Sequence, residues 1–235
     1  MSTPQLPLGL RFPRDQRLDS YRDAPSGLLG ALAETTRGAS SDSIFLSGVA
    51  GCGKSHLLLA ACAEAAAGER SVAYLPLRTF SARVTEALVH QGAVMLACVD
   101  DVQVVAGNRE AEVALFDLHN RVRGHGGALL YAAVAPPLQL ALDLPDLRSR
   151  LSQCTWFALA VPDEAQRRAI LVDRAAERGL ELDDAVLDYA FRRVGRDLVT
   201  LTSLLDRLDR ASLAAQRRVT VPFLRAELEA GSTAP

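Results

Sequence analysis

The chain has 235 residues and a formal net charge of −2, long enough for one core domain with a smaller appendage and too short for two large ones. No stretch approaches the roughly 20 uncharged apolar residues of a membrane span, and the polar start MSTPQLPLGL lacks an export signal, so a cytoplasmic protein without membrane contact is expected. The near-neutral balance excludes a protein that grips nucleic acid by bulk charge, although clustered arginines leave a local basic face open. Cys52, Cys62, Cys98 and Cys154 lie in apolar or glycine-rich stretches with no C-x-x-C pair, which suits reduced thiols better than a zinc site or disulfide frame.

After the tail comes a charged, proline-interrupted lead-in, RFPRDQRLDSYRDAPSG, and then GLLGALAETTRG with helical apolar spacing. SIFLSG predicts a strand, SHLLLAACAEAAAG a helix stopped at Gly68, SVAYLPL a second strand, TFSARVTEALVHQ one helix, and AVMLACVDD a third strand. The alternation continues through the helix EAEVALFDLHNRVRGHGG, the strand ALLYAAV, a proline turn and the strand TWFALAV. Such β/α units build a parallel sheet covered by helices. Beyond Pro162 the pattern changes to amphipathic helices alone: DEAQRRAILVDRAAERG, LDDAVLDYAFRRVG, LVTLTSLLDRLDRASLAAQRR and VPFLRAELEAG. The expected layout is a tail at 1–20, an α/β nucleotide-binding domain at 21–162 and an all-helical lid at 163–235.

Of the 26 lysines and arginines only Lys54 is a lysine. It stands in GVAGCGKS, Gly48 to Ser55, a full match to G-x-x-x-x-G-K-[ST] placed between a predicted strand and a predicted helix. A compact ammonium on a flexible stem can reach between phosphates where the broader guanidinium would collide with a close-fitting loop. Gly48, Gly51, Cys52, Gly53, Lys54, Ser55 and His56 are therefore candidate binding residues for ADP or ATP, through loop N–H groups and the helix N-terminus. Ser55 and Asp100, the latter at the end of an apolar run, are candidate Mg²⁺ ligands. Asp101 is the candidate for polarising an attacking water.

The phosphate loop, DDVQVVAG, the PP turn, LPDLRSRL and a helical lid, in that order, resemble the AAA+ module of DnaA-type replication initiators. DDVQVVAGNREAEVALFDLHNRV, PPLQLALDLPDLRSRL and LLDRLDRASLAAQRRVTVPFL are more similar still to the family of the DnaA regulatory inactivator, Hda, over nearly the whole chain. The resemblance implies a P-loop AAA+ core with a helical lid, and partnership with the DnaA initiator. It also implies docking on the sliding clamp, the β subunit of DNA polymerase III, through Gln5, Leu6, Leu8 and Leu10, which match a Q-L-x-L-x-L peptide. By the same resemblance Arg150, rather than Arg148, is the arginine finger acting on a nucleotide in a neighbouring subunit. The initiators' further helix-turn-helix domain has no counterpart here, so DNA contact is expected to be weak or indirect; self-association is left open.

Two positions depart from the family pattern. Val134 stands at the end of the fourth strand and Val199 in the lid, each where a polar sensor is expected, and a valine cannot hydrogen-bond a phosphate or water. Arg196, three residues before Val199, could substitute if the lid rotates. The expectation is nucleotide binding with weak intrinsic hydrolysis and stimulation of ATP hydrolysis on the initiator, which would repress re-initiation. The alternatives are an autonomous ATPase, such as a helicase loader or initiator-like remodeller, and a nucleic-acid-binding adaptor.

Overall fold

The computed structural model describes residues 16–194 and 198–232. Gln5, Leu6, Leu8, Leu10 and Arg196 lie outside the described residues, as does the side chain of Val199. The chain divides into two compact units, one ending at Ala160 and the other beginning at Val161. Among the described residues no helix is long and apolar enough to cross a membrane.

The first unit runs α1 (Leu28–Arg37), β1 (Ile44–Ser47), α2 (Lys54–Ala67), β2 (Val72–Pro76), α3 (Leu77–Phe80), α4 (Val84–His90), β3 (Leu96–Asp100), α5 (Arg109–Gly124), β4 (Ala128–Ala133), α6 (Pro145–Ser152) and β5 (Thr155–Ala158). The five strands form one sheet in the order β2-β3-β4-β1-β5, and every pairing is parallel. Inner strands covered on both faces must be apolar throughout. Accordingly Phe45, Val99 and Tyr131 point into the core beneath α4, α5 and α6, while Ile44, Leu46, Cys98 and Leu130 point into the core beneath α1 and α2. All four cysteines are free and buried in these layers. The edge strand β5 is largely exposed, and Trp156 is fixed there by an Nε1–H bond to Ser47 Oγ of 2.7 Å.

One expected helix is broken. TFSARVTEALVHQ forms the end of α3, a 3₁₀ turn over Ser81–Arg83 and α4, because Ser81 takes φ 50°, a value that cannot continue a right-handed helix. The second unit consists of α7 (Glu164–Glu177), α8 (Asp184–Arg193), α9 (Leu198–Ala215) and α10 (Val221–Ser232) around a core that includes Leu171, Phe191, Leu201, Leu205 and Leu224. Asp163 and Gln166 open α7 with a reciprocal capping box, and Arg178 pairs with Asp206 at 2.7 Å.

A buried acid braces the first unit. Glu112 of α5 is fully buried; its Oε1 accepts from Gly107 N and Asp143 N at 3.0 Å each, and its Oε2 from Leu144 N at 2.6 Å. Three backbone donors of two loops are thereby satisfied by one side chain, and Leu144 is the N-cap residue of α6. Orphaned buried donors cost about 1–3 kcal/mol each, so Glu112→Ala should destabilise the chain by roughly 3–5 kcal/mol in urea unfolding. A loss below about 1 kcal/mol would show that water replaces the carboxylate at no cost.

Candidate functional site

Because the sheet is parallel, the chain leaves β1, β3 and β4 at one edge, and Gly48, Asp101 and Val134 follow these strands directly. Gly48 sits where no side chain fits: a Cβ would lie 2.6 Å from both Cys52 Sγ and Leu159 O. Gly53 adopts φ 90°, and a Cβ there would meet the Tyr21 ring at 2.6 Å. The loop can therefore turn tightly enough to open α2 at Lys54. No side chain caps α2 and no acid occupies its first turn, an arrangement in which the positive end of the helix favours an anion. Lys54 is buried along its stem, and its ammonium donates to Gly48 O at 2.5 Å and Val49 O at 3.1 Å. Cys52 is buried with its thiol 3.6 Å from Lys54 Nζ, so what it can offer a ligand is backbone rather than sulfur.

Ser55 Oγ donates to Asp100 Oδ2 at 2.5 Å. Tyr74 O–H donates to the same oxygen at 3.1 Å and Asp101 N–H to Oδ1 at 2.9 Å. Burial, then the charge of Asp100, pushes the Tyr74 phenol up, so it stays a donor at neutral pH. Two oxygen donors in contact at the mouth of the loop are the kind of set that Mg²⁺ takes, with phosphate oxygens and water completing its shell. These residues fit the ion, and with it bound they would hold a nucleotide's charge in place.

Asp101 is placed differently from its neighbour. It takes φ 58°, and its carboxylate is held by Arg78 through two contacts of 3.2 Å and by Gln103 Nε2–H at 2.7 Å. The other end of the Gln103 amide accepts from Val134 N–H at 3.2 Å. The amide of Gln103 thus spans the Asp101 carboxylate and the backbone of Val134. A carboxylate whose oxygens already accept from a guanidinium and an amide has fewer lone pairs left for a water.

Sequence reasoning missed the lead-in. Tyr21 O–H donates to Cys52 O at 2.8 Å, its ring stacks on His56 with centroids 6.3 Å apart, and His56 Nε2 lies 3.2 Å from Ser20 Oγ and 3.1 Å from Arg17 O. Burial, then the proximity of Cys52, raises the Tyr21 phenol to about 12. The imidazole of His56 therefore ties the lead-in to α2. Apolar periodicity cannot flag such contacts; Tyr21, an aromatic among charged residues of the lead-in, was the available signal.

The two arginines of α6 differ in the same way. Arg148 donates to Leu142 O and closes the turn before its helix. Arg150 is exposed, and its guanidinium makes no hydrogen bond or ion pair with any described residue.

Lys54→Ala should bring nucleotide binding below detection by calorimetry while changing stability by only about 1 kcal/mol, since its bonds run to loop carbonyls that water can reach once the stem is gone. Wild-type affinity in that variant would remove the loop from the site.

Comparison with known proteins agrees with this geometry. The bacterial DnaA ATPase domain model matches residues 30–157, and the Hda lid domain model matches residues 163–228. Among solved structures, domain III of the Thermotoga maritima replication initiation protein DnaA superposes with a TM-score of 0.72 at 21% identity, covering 93% of this chain and 97% of that one. AMPPCP-bound DnaA from Aquifex aeolicus gives 0.63 at 20% identity over 84% and 66% of the two chains. The Thermotoga maritima RuvB Holliday junction branch migration motor gives 0.60 at 15% identity over 93% and 72%. With the DnaA ATPase-domain model spanning more than half of its length and the Hda lid model following it, the chain belongs to the family of the bacterial DnaA ATPase domain, as a DnaA-related AAA+ protein of the Hda type.

Proposed function

We propose that this protein is a regulator that binds ADP or ATP with Mg²⁺, docks on the DNA-loaded sliding clamp, and supplies Arg150 to ATP held by the DnaA initiator. The observation that carries this reading is the contrast on α6: Arg148 is tied to its own chain while Arg150, on a helix braced by Glu112, has no acceptor among the described residues. A guanidinium presented in this way can neutralise charge that develops on a transferred phosphoryl group in another subunit. Its own site supports retention of nucleotide more than turnover, because Asp101 is engaged by Arg78 and Gln103 and Val134 offers no side-chain donor.

In this reading Lys54 and the loop N–H groups bind the phosphates, Ser55 and Asp100 hold the ion, and nucleotide sets the state in which Arg150 is presented. Gln5, Leu6, Leu8 and Leu10 would enter a groove on the clamp as an extended peptide, so the clamp raises the local concentration of this protein near the initiator. Contact with DNA is then indirect.

Arg150→Ala should lower single-turnover phosphate release from ATP-loaded initiator, in the presence of clamp and DNA, by a factor of about 10³–10⁵, with this chain's own ADP affinity unchanged. Arg148→Ala should act more mildly. Gln5→Ala with Leu8→Ala should abolish stimulation through lost clamp binding, with no change in melting temperature. Full stimulation by the Arg150→Ala protein would remove the trans-acting mechanism, and rapid turnover by this chain alone would favour an autonomous ATPase instead.

A further inference from the structure

A pocket of about 160 Å³ opens where the starts of β1 and β5 meet the last turns of α5 and α6. It lies at the end of β1 opposite the phosphate loop, so this chain's own nucleotide cannot reach it. Ser43, His119, Arg123, Arg150 and Thr155 line it, and Asp42 is the one acid among the described lining residues.

Its walls are rich in unspent donors. Arg123 gives one nitrogen to Ser41 O and keeps its others, and Arg150 makes no hydrogen bond or ion pair with described residues. The Ser43 hydroxyl oxygen is buried without a partner, an exception among buried polar atoms that calls for an explanation. His119 is only 6% exposed, and its Nδ1 lies 2.8 Å from Tyr131 O–H. Burial pushes the Tyr131 phenol well above its ordinary range, so the phenol keeps its proton. Nδ1 is engaged by Tyr131, and the imidazole is one of the groups that line the pocket. Burial first, and then the charges of Arg150 and Arg123, hold His119 down to about 4, as a positive field inside the pocket requires.

We propose that this pocket is a subsite for one tetrahedral oxyanion, a phosphate group, gripped by Arg123 and Arg150 beside the Ser43 hydroxyl and the His119 imidazole. Two cations facing one acid attract a dianion, and four phosphate oxygens match a wall of donors better than a planar carboxylate does. The phosphate has two possible sources: the terminal group of a nucleotide held by a neighbouring AAA+ subunit, or free inorganic phosphate. The first source rests on the trans-acting reading above and would make Arg123 a second cation beside Arg150.

The test uses the full chain saturated with Mg·ADP, so that the phosphate loop is filled, and follows the imidazoles in long-range ¹H–¹⁵N spectra. Sodium phosphate or sodium sulfate is titrated in at ionic strength held constant with chloride. The His119 resonances should shift saturably, and its titration midpoint should rise above about 4 as the anion offsets the two guanidiniums. Arg123→Ala and Arg150→Ala, both on exposed helix positions, should each weaken the apparent affinity by about tenfold or more. Absence of a saturable shift, or an unchanged affinity in both variants, overturns the subsite. If Arg123→Ala lowers both phosphate affinity and stimulated hydrolysis on the initiator, the occupant is the neighbour's nucleotide; if only phosphate affinity falls, it is free phosphate. Full stimulation by Arg150→Ala with phosphate binding lost would overturn the trans-acting reading and leave the subsite standing.

Discussion

The contact on which the nucleotide site depends is the hydrogen bond from Ser55 to Asp100. These residues come from α2 and β3, and in the sheet β3 is separated from β1 by β4. The first turn of α2 can meet the end of β3 only if α2 lies across β4 at close range. Small side chains allow that approach: Ala132 on β4 and Ala60 and Ala61 on α2 belong to one buried cluster. The helix is therefore aimed by its packing, and the loop preceding it is curled by glycines at the two points where a Cβ would collide. Once α2 is aimed, its N-terminal turn, the Lys54 ammonium and the Asp100 carboxylate converge without further adjustment. In the proposed reading the positive groups serve phosphate and the carboxylate serves its counter-ion.

Binding and hydrolysis ask different things of such a site. Binding needs donors and an ion ligand, and Lys54, Ser55 and Asp100 are all in place. Hydrolysis also needs a free base and a polar group at the far side of the terminal phosphate. Asp101 is engaged by Arg78 and Gln103, and Gln103 in turn reaches Val134 N–H, so the carboxylate proposed as base is bound into the protein's own network. Meanwhile Glu112 and Arg148 fasten the start of α6, while the Arg150 guanidinium in its last turn keeps its donors free of described partners. The division of labour proposed for the two nucleotides follows from this contrast.

Strong periodicity made much of this legible in the sequence. Continuous apolar runs ending in Gly48 and Asp100 gave buried parallel strands, and the glycine-lysine signature between a strand and a helix located the loop. What remained hidden arises from contacts distant in sequence or from backbone exceptions. Tyr21 reaches Cys52 across 31 positions, and Glu112 reaches Leu144 across 32. Neither partner bears a local mark of the pairing. Ser81 broke a helix that its neighbours' propensities favoured, because φ 50° is imposed by the surrounding fold rather than by the residue. The engagement of Asp101 by Gln103 was equally invisible, since two residues of separation say nothing about an αL turn between them.

Which of two nucleotides is hydrolysed is the most direct question to put to this account. Two mixtures would contain initiator, this protein, clamp and DNA, with [γ-³²P]ATP preloaded either on the initiator or on this protein and unlabelled nucleotide on the other. The account predicts accelerated release of labelled phosphate when the initiator bears the label. When this protein bears it, release should stay far below the roughly 1–10³ s⁻¹ of dedicated enzymes. Rapid release of label from this protein's own site, with none above background from the initiator, would contradict it.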